Sequence, residues 1–237
     1  MYGISSFCLS TEPLPDALAT LADLTDRIEI MDEGLHHLDS AELLQSFDCR
    51  FSLHAPSRGT NLASLLEPIR EASVRVMAQC MAIAGEVGGS VVVHPGYFAW
   101  PVERKKSEEQ LGRSLAELSL ISNDLEVPFF VENMGDWEYF LFKTPEEFPL
   151  IKSARFALDV GHAHQMKCLD AFLPHPASHY HLHDNAGDAD AHLAVGAGTI
   201  DFSRVMKVVR ASGIVPIIEV TTLEAAKASI ERLDAIR

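Results

Sequence analysis

Short apolar runs alternate with longer amphipathic stretches along the whole chain. The runs Gly3–Cys8, Arg27–Met31, Phe51–His54, Ser90–His94, Pro128–Glu132, Arg155–Asp159, Ser178–His183 and Val215–Val220 read as strands. Between them, apolar residues recurring every three or four positions predict helices over Asp16–Leu24, Ser40–Phe47, Glu67–Val87, Ser107–Asn123, Thr144–Ile151, Lys167–Leu173, Asp201–Ser212 and Leu223–Ile236. The clearest is Glu67–Val87, where Ile69, Val74, Val76, Met77, Met81 and Ile83 form a stripe before the Gly88-Gly89 break. Parallel strands need a crossover connection, and a helix supplies it. Eight such units in 237 residues predict a single (β/α)8 TIM barrel over residues 1–237, with a doubly wound open sheet as the alternative.

Composition agrees with one large α/β domain: 47% of residues are apolar and 22% charged, with no linker, repeat or low-complexity tract. The N-terminus lacks a basic region followed by an apolar run, and no segment approaches the ~18 apolar residues that span a bilayer. A cytoplasmic protein with no membrane partner is expected. Cys8, Cys49, Cys80 and Cys168 are far apart, as reduced thiols would be, without the close pairs of a zinc ribbon. With 34 acidic against 19 basic residues and a net charge of −15, a polyanionic partner such as nucleic acid is disfavoured relative to a small substrate. The sequence leaves the oligomeric state open.

Polar residues end the apolar strands. His54, His94, Glu132, Asp159, His181 and Glu219 stand at the carboxyl ends of six consecutive strands. In a barrel these ends converge on one rim, where active sites of this architecture lie. His179, His181 and His183 alternate along one strand and so share a face. His162, Asp190 and His192 follow in rim loops. Any one of these could be a satisfied core or surface residue, but buried imidazoles and carboxylates cost several kcal/mol each unless compensated, and few Lys or Arg stand nearby. A divalent cation answers that need. Mixed nitrogen and carboxylate donors suit zinc or manganese, with cobalt or magnesium also compatible. Asn61, Asn133, His183, Asn185, Trp100 and Trp137 are weaker candidates for substrate contacts in the same loops. Gly196-Ala-Gly198 is a weak phosphate-loop signal, and Asp201 explains the segment equally well as a helix N-cap.

Taken in order, His54-Ala-Pro, His94-Pro-Gly, Glu132-Asn, Asp159-Val-Gly-His162, His181-Leu-His-Asp-Asn, Asp190-Ala-His192 and Glu219 resemble the xylose-isomerase-like barrels. That superfamily includes sugar isomerases and epimerases and the endonuclease IV class of repair enzymes. The repair-enzyme pattern implies His54, His94, Glu132, Asp159, His162, His181, Asp190, His192 and Glu219 as ligands of three ions. The epimerase pattern implies one ion on Glu132, Asp159, His181 and Glu219, with His162 touching substrate and Glu132 and Glu219 as acid and base. The chain departs from the latter where Ala186-Gly187-Asp188 replaces an expected arginine after Asp184-Asn185.

Two readings of the chemistry follow. The first is a divalent-metal-dependent isomerase or epimerase of a sugar or sugar phosphate, with paired glutamates moving the proton on opposite faces and one to three ions bound. The alternative is a di- or trinuclear zinc hydrolase acting on a phosphoester, to which the acidic charge is unfavourable if the substrate is DNA. A barrel that only binds a ligand is the least favoured, because carboxylates converging on a barrel rim are usually catalytic.

Overall fold

In the computed structural model, which describes residues 1–236, eight parallel strands close into a barrel in simple chain order. They are β1 Gly3–Ser5, β2 Arg27–Met31, β3 Arg50–His54, β4 Ser90–Val93, β5 Phe129–Glu132, β6 Arg155–Asp159, β7 His179–Leu182 and β8 Ile217–Ile218. Around them run α1 Leu14–Ala22, α2 Glu42–Gln45, α3 Glu67–Glu86, α4 Arg104–Leu125, α5 Val160–Gln165, α6 Leu169–Phe172, α7 Phe202–Ser212 and α8 Leu223–Ala235. Gly3 pairs with Ile217 and Ile4 with Ile218, which closes the barrel and rules out the open sheet. Among the described residues no helix is long and apolar enough to cross a membrane.

Local chemistry explains where the elements depart from the expected ones. β1 stops at Ser5 because the Ser5 hydroxyl accepts the Phe7 N–H and starts a 3-10 turn, Ser6–Leu9. The expected helix over Thr144–Ile151 is a 3-10 helix, Pro145–Ile151, in which Pro149 has no N–H to give. α5 was not expected. Asp159 is its N-cap, its carboxylate accepting the His162 N–H at 2.6 Å, so one residue ends a strand and fixes the next candidate histidine. On α3 the inward position belongs to Arg70, 2% exposed and paired with Glu67 and Glu117, while Ile69 is 46% exposed.

Most apolar side chains pack between the barrel wall and the helices. Inside the barrel, Val92, Phe130 and Ala157 form a small separate cluster. Barrels of this kind usually fill their interior with layers of branched aliphatics. Here Glu29, Ser52, His179 and His181 are also buried, and they bond to one another inside the barrel.

One carboxylate gathers four amides of the long loop from β7 to α7. Buried Asp184 accepts the N–H groups of Asn185, Gly196, Gly198 and Ile200 at 2.9 to 3.1 Å. The Gly196 and Gly198 amides are thus turned onto a side chain of the protein, which accounts for the Gly-Ala-Gly run without a phosphate. A Cβ on Gly198 would lie 2.3 Å from the Asn185 carbonyl oxygen, so only glycine fits there. Asp201 caps α7 through the Ser203 N–H, as expected. Asp184→Ala leaves four backbone donors without their acceptor and is expected to lower stability by about 2–4 kcal/mol, read from urea unfolding.

Candidate metal centre

Glu132 sits at the end of β5 with both oxygens engaged. His181 Nδ1 lies 2.6 Å from Oε1, and His94 Nε2 and His54 Nε2 lie 2.9 and 3.3 Å from Oε2. Burial works to raise its pKa, but His181, His54 and His94 outweigh burial and hold the carboxyl well below the usual range. His181 has a carboxylate on each ring nitrogen, because its Nε2 is 2.6 Å from Glu29 Oε1. Burial opposes its charge, yet Glu219, Glu29 and Glu132 keep its pKa well above that of free imidazole. Glu219 lies at the end of β8, 2% exposed, with Oε2 3.6 Å from His181 Nδ1 and with no hydrogen-bond partner on Oε1.

Three other imidazoles share one arrangement. His54 Nδ1 faces the Ala55 carbonyl at 3.1 Å, His162 Nδ1 the Asn133 carbonyl at 2.9 Å, and His192 Nδ1 the Glu219 carbonyl at 2.9 Å. A carbonyl can only accept, so Nδ1 carries the hydrogen in each ring and Nε2 is turned inward. Those Nε2 atoms face carboxylates: Glu132 for His54, and Asp190 for His162 and His192 at 3.2 and 3.3 Å. A lone pair aimed at a carboxylate is unfavourable unless a proton or a cation intervenes. With protons there, Glu132 outweighs burial and pushes His54 up to about 9, and Asp190 does the same for His192, to about 9. Main-chain acceptors on the outer nitrogen and carboxylates beyond the inner one are how metal-ligating histidines are held.

The nine residues expected as ligands fall into three groups whose donor atoms lie within 4.8 Å of one another. His54, His94 and Glu132 make one; Glu132, Asp159, His181 and Glu219 the second; His162, Asp190 and His192, joined by His183, the third. The donors fit a cation, and the unpartnered Glu219 Oε1 is a buried oxygen that a cation would satisfy. Asp190 carries an exposed edge, and His162 and His192 hold its carboxyl far below the usual range against the effect of burial. His192 adopts a left-handed backbone, φ 43°, and stacks on His183 with ring centroids 3.8 Å apart. Such strain in a non-glycine residue is typical of functional loops.

A cavity of about 790 Å³ opens above these groups. Phe7, Tyr97, Trp137 and Phe140 contribute to its wall, and among the described residues Arg58 is the one Lys or Arg on it. Trp137 packs edge-on to Tyr97 at 5.2 Å, whereas Trp100 is 66% exposed and off the cavity. The three candidate amides lie in the scaffold. Asn61 bonds to the Tyr97 backbone, Asn133 clamps the Asp159 N–H and carbonyl, and Asn185 bonds to the Gly161 carbonyl and the Gly187 N–H. His183 is fully buried, its Nε2 3.1 Å from Asp159.

Sequence reasoning missed Glu29. It is a fully buried carboxylate between Ile28 and Ile30, receiving Ser52 Oγ at 2.7 Å and facing His179 Nε2 at 2.9 Å and His181 Nε2 at 2.6 Å. A glutamate at an inward strand position was the available signal.

The family model for the xylose isomerase-like TIM barrel matches residues 17–236. The chain belongs to that family. An uncharacterized protein of Methanocaldococcus jannaschii is 30% identical over 220 residues, 85% of this chain and 88% of its own length. Among solved structures, a D-tagatose 3-epimerase-like protein superposes with a TM-score of 0.91 at 29% identity, covering 98% of this chain and 95% of that one. A D-allulose 3-epimerase from Methylomonas sp., in complex with D-allulose, gives a TM-score of 0.78 at 18% identity, with 100% and 96% covered, a likeness of fold. Structural neighbours of this xylose isomerase-like barrel thus include sugar epimerases.

If Glu29 holds the outer nitrogen of a ligand histidine, Glu29→Gln should weaken metal binding about 10- to 100-fold, measured by competition with a chromophoric chelator. Unchanged affinity would remove Glu29 from that role.

Proposed function

We propose that this protein is a divalent-metal-dependent sugar isomerase or epimerase, with the cation held by Glu132, Asp159, His181 and Glu219. The observation that carries the reading is the inequality of the two glutamates within one donor group. Glu219 keeps a buried oxygen with no partner, while Glu132 faces three imidazoles. A bound cation would supply Lewis acidity toward adjacent oxygens of the substrate and acidify the carbon-bound proton between them. Glu219 takes this proton on the oxygen that a bound cation would leave free, and Glu132, whose imidazole neighbours can resupply a proton, returns one from the other side. His162 orients a substrate oxygen from the rim. Phe7, Tyr97, Trp137 and Phe140 offer apolar faces to a sugar ring and exclude water. Arg58, the one permanent cation among the described residues of the wall, lies 3.7 Å from Glu33, so the wall favours an unphosphorylated sugar.

One observation favours a second reading, a multinuclear phosphoester hydrolase. Glu132 offers one oxygen toward His181 and the other toward His54 and His94, and Asp190 and His192, grouped with His162, are donors that a single-ion epimerase leaves without a task. In that reading the cations supply charge neutralisation and activation of water.

The readings separate on metal content and on isotope exchange. The epimerase reading expects about one ion per chain, insensitive to His94→Ala, and the hydrolase reading about three, falling on that substitution. Incubated with ketoses in D2O, the epimerase incorporates deuterium at the inverted carbon, and Glu219→Gln should slow this by about 10²–10⁴-fold with KM little changed. Exchange at the full rate in Glu219→Gln removes Glu219 as the base.

A further inference from the structure

At the opposite end of the barrel from the rim site, a second cavity of about 280 Å³ lies beneath the strands. Arg27, Arg50, Ser52, Ser90, Ser178 and His179 contribute to its wall. Arg27 and Arg50 are register partners at the starts of β2 and β3, so two guanidinium side chains leave adjacent strands at one level. Like charges directly opposite one another in a sheet destabilise it. The chain has 34 carboxylate residues, and Asp26 and Asp48 stand one and two positions before these arginines. Among the described residues neither arginine has a carboxylate within ion-pair distance; Arg50 is exposed and meets solvent, while Arg27 is half-buried. Arg27 Nε is buried and without a hydrogen-bond partner, a donor that in a finished interior would be satisfied.

We propose that this floor cavity binds a phosphate-sized oxyanion between Arg27 and Arg50. Two guanidinium groups offer forked N–H donors that match the oxygens of a phosphoryl group and satisfy Arg27 Nε. No carboxylate lines this cavity, and Glu29, two residues from Arg27, has its oxygens engaged by Ser52, His179 and His181. The ligand is inorganic phosphate or the phosphoryl group of a small metabolite. This site is separate from the rim, and the inference stands whichever reaction the rim performs.

Calorimetric titration of the intact protein with inorganic phosphate at constant ionic strength tests it. Saturable binding is expected, weakened about tenfold or more by Arg27→Met and by Arg50→Met, as loss of a charged hydrogen-bond donor requires, and kept by His94→Ala at the rim. Arg27→Lys and Arg50→Lys, which preserve the charge and guard against a misfolded Met variant, should bind with intermediate affinity at unchanged circular dichroism. Tighter binding of glycerol 3-phosphate assigns the site to a phosphorylated metabolite, and equal or weaker binding assigns it to the free ion. The proposal is overturned if phosphate does not saturate at millimolar concentration, or if binding survives in the Arg27→Met/Arg50→Met protein and disappears with a chelator, which would place it at the rim.

Discussion

The structure depends on keeping charge inside a barrel. His181 is the centre of this constraint: fully buried, it lies 2.6 Å from Glu132 on one ring nitrogen and 2.6 Å from Glu29 on the other. Neither carboxylate could be buried alone, since an unpaired buried ion costs several kcal/mol. Glu29 is met from below by Ser52 and His179, and Glu132 from above by His54 and His94. The polar column therefore stands as a unit. Removing one member leaves its neighbours charged and unmatched, which is more damaging than removing an exposed ion pair.

The same column sets the orientation of the rim. Barrel strands deliver alternate side chains inward, and the strand-end carboxylates Glu132, Asp159 and Glu219 all face His181 Nδ1, at 2.6, 3.9 and 3.6 Å. Asp159 shows how closely fold and site are joined. Its backbone ends β6, its carboxylate caps α5 through the His162 amide, and the same carboxylate faces His183. Asp184 does the equivalent for the following loop, fixing the turn that returns Asp190 and His192 to the centre. Rigidity comes from carboxylates bound to backbone amides, and the inward Nε2 atoms inherit it.

Much of this was legible from residue types and spacing. Alternating apolar runs and amphipathic stretches point to the barrel, and the strand-end positions of His, Asp and Glu point to their gathering at one rim, because both follow from local periodicity. Glu29 escaped notice since a single glutamate between isoleucines looks like any solvent-facing strand residue until the strand is known to be walled on both sides. Asn61, Asn133 and Asn185 looked like binding groups because amides beside strand ends face the rim in sequence. In three dimensions their hydrogen bonds go to the backbone that supports it.

The sequence by itself determined the order of strands and crossovers, the family, and which nine side chains carry nitrogen or oxygen donors to the carboxyl ends of the strands. These depend on pattern along the chain. Only the tertiary structure decided how the donors divide into groups, that Glu132 is shared between two of them, that Trp137 and not Trp100 walls the cavity, and that Arg27 and Arg50 lie side by side at the opposite end of the barrel. Those depend on distances between residues far apart in the chain, which close only when the first and last strands pair.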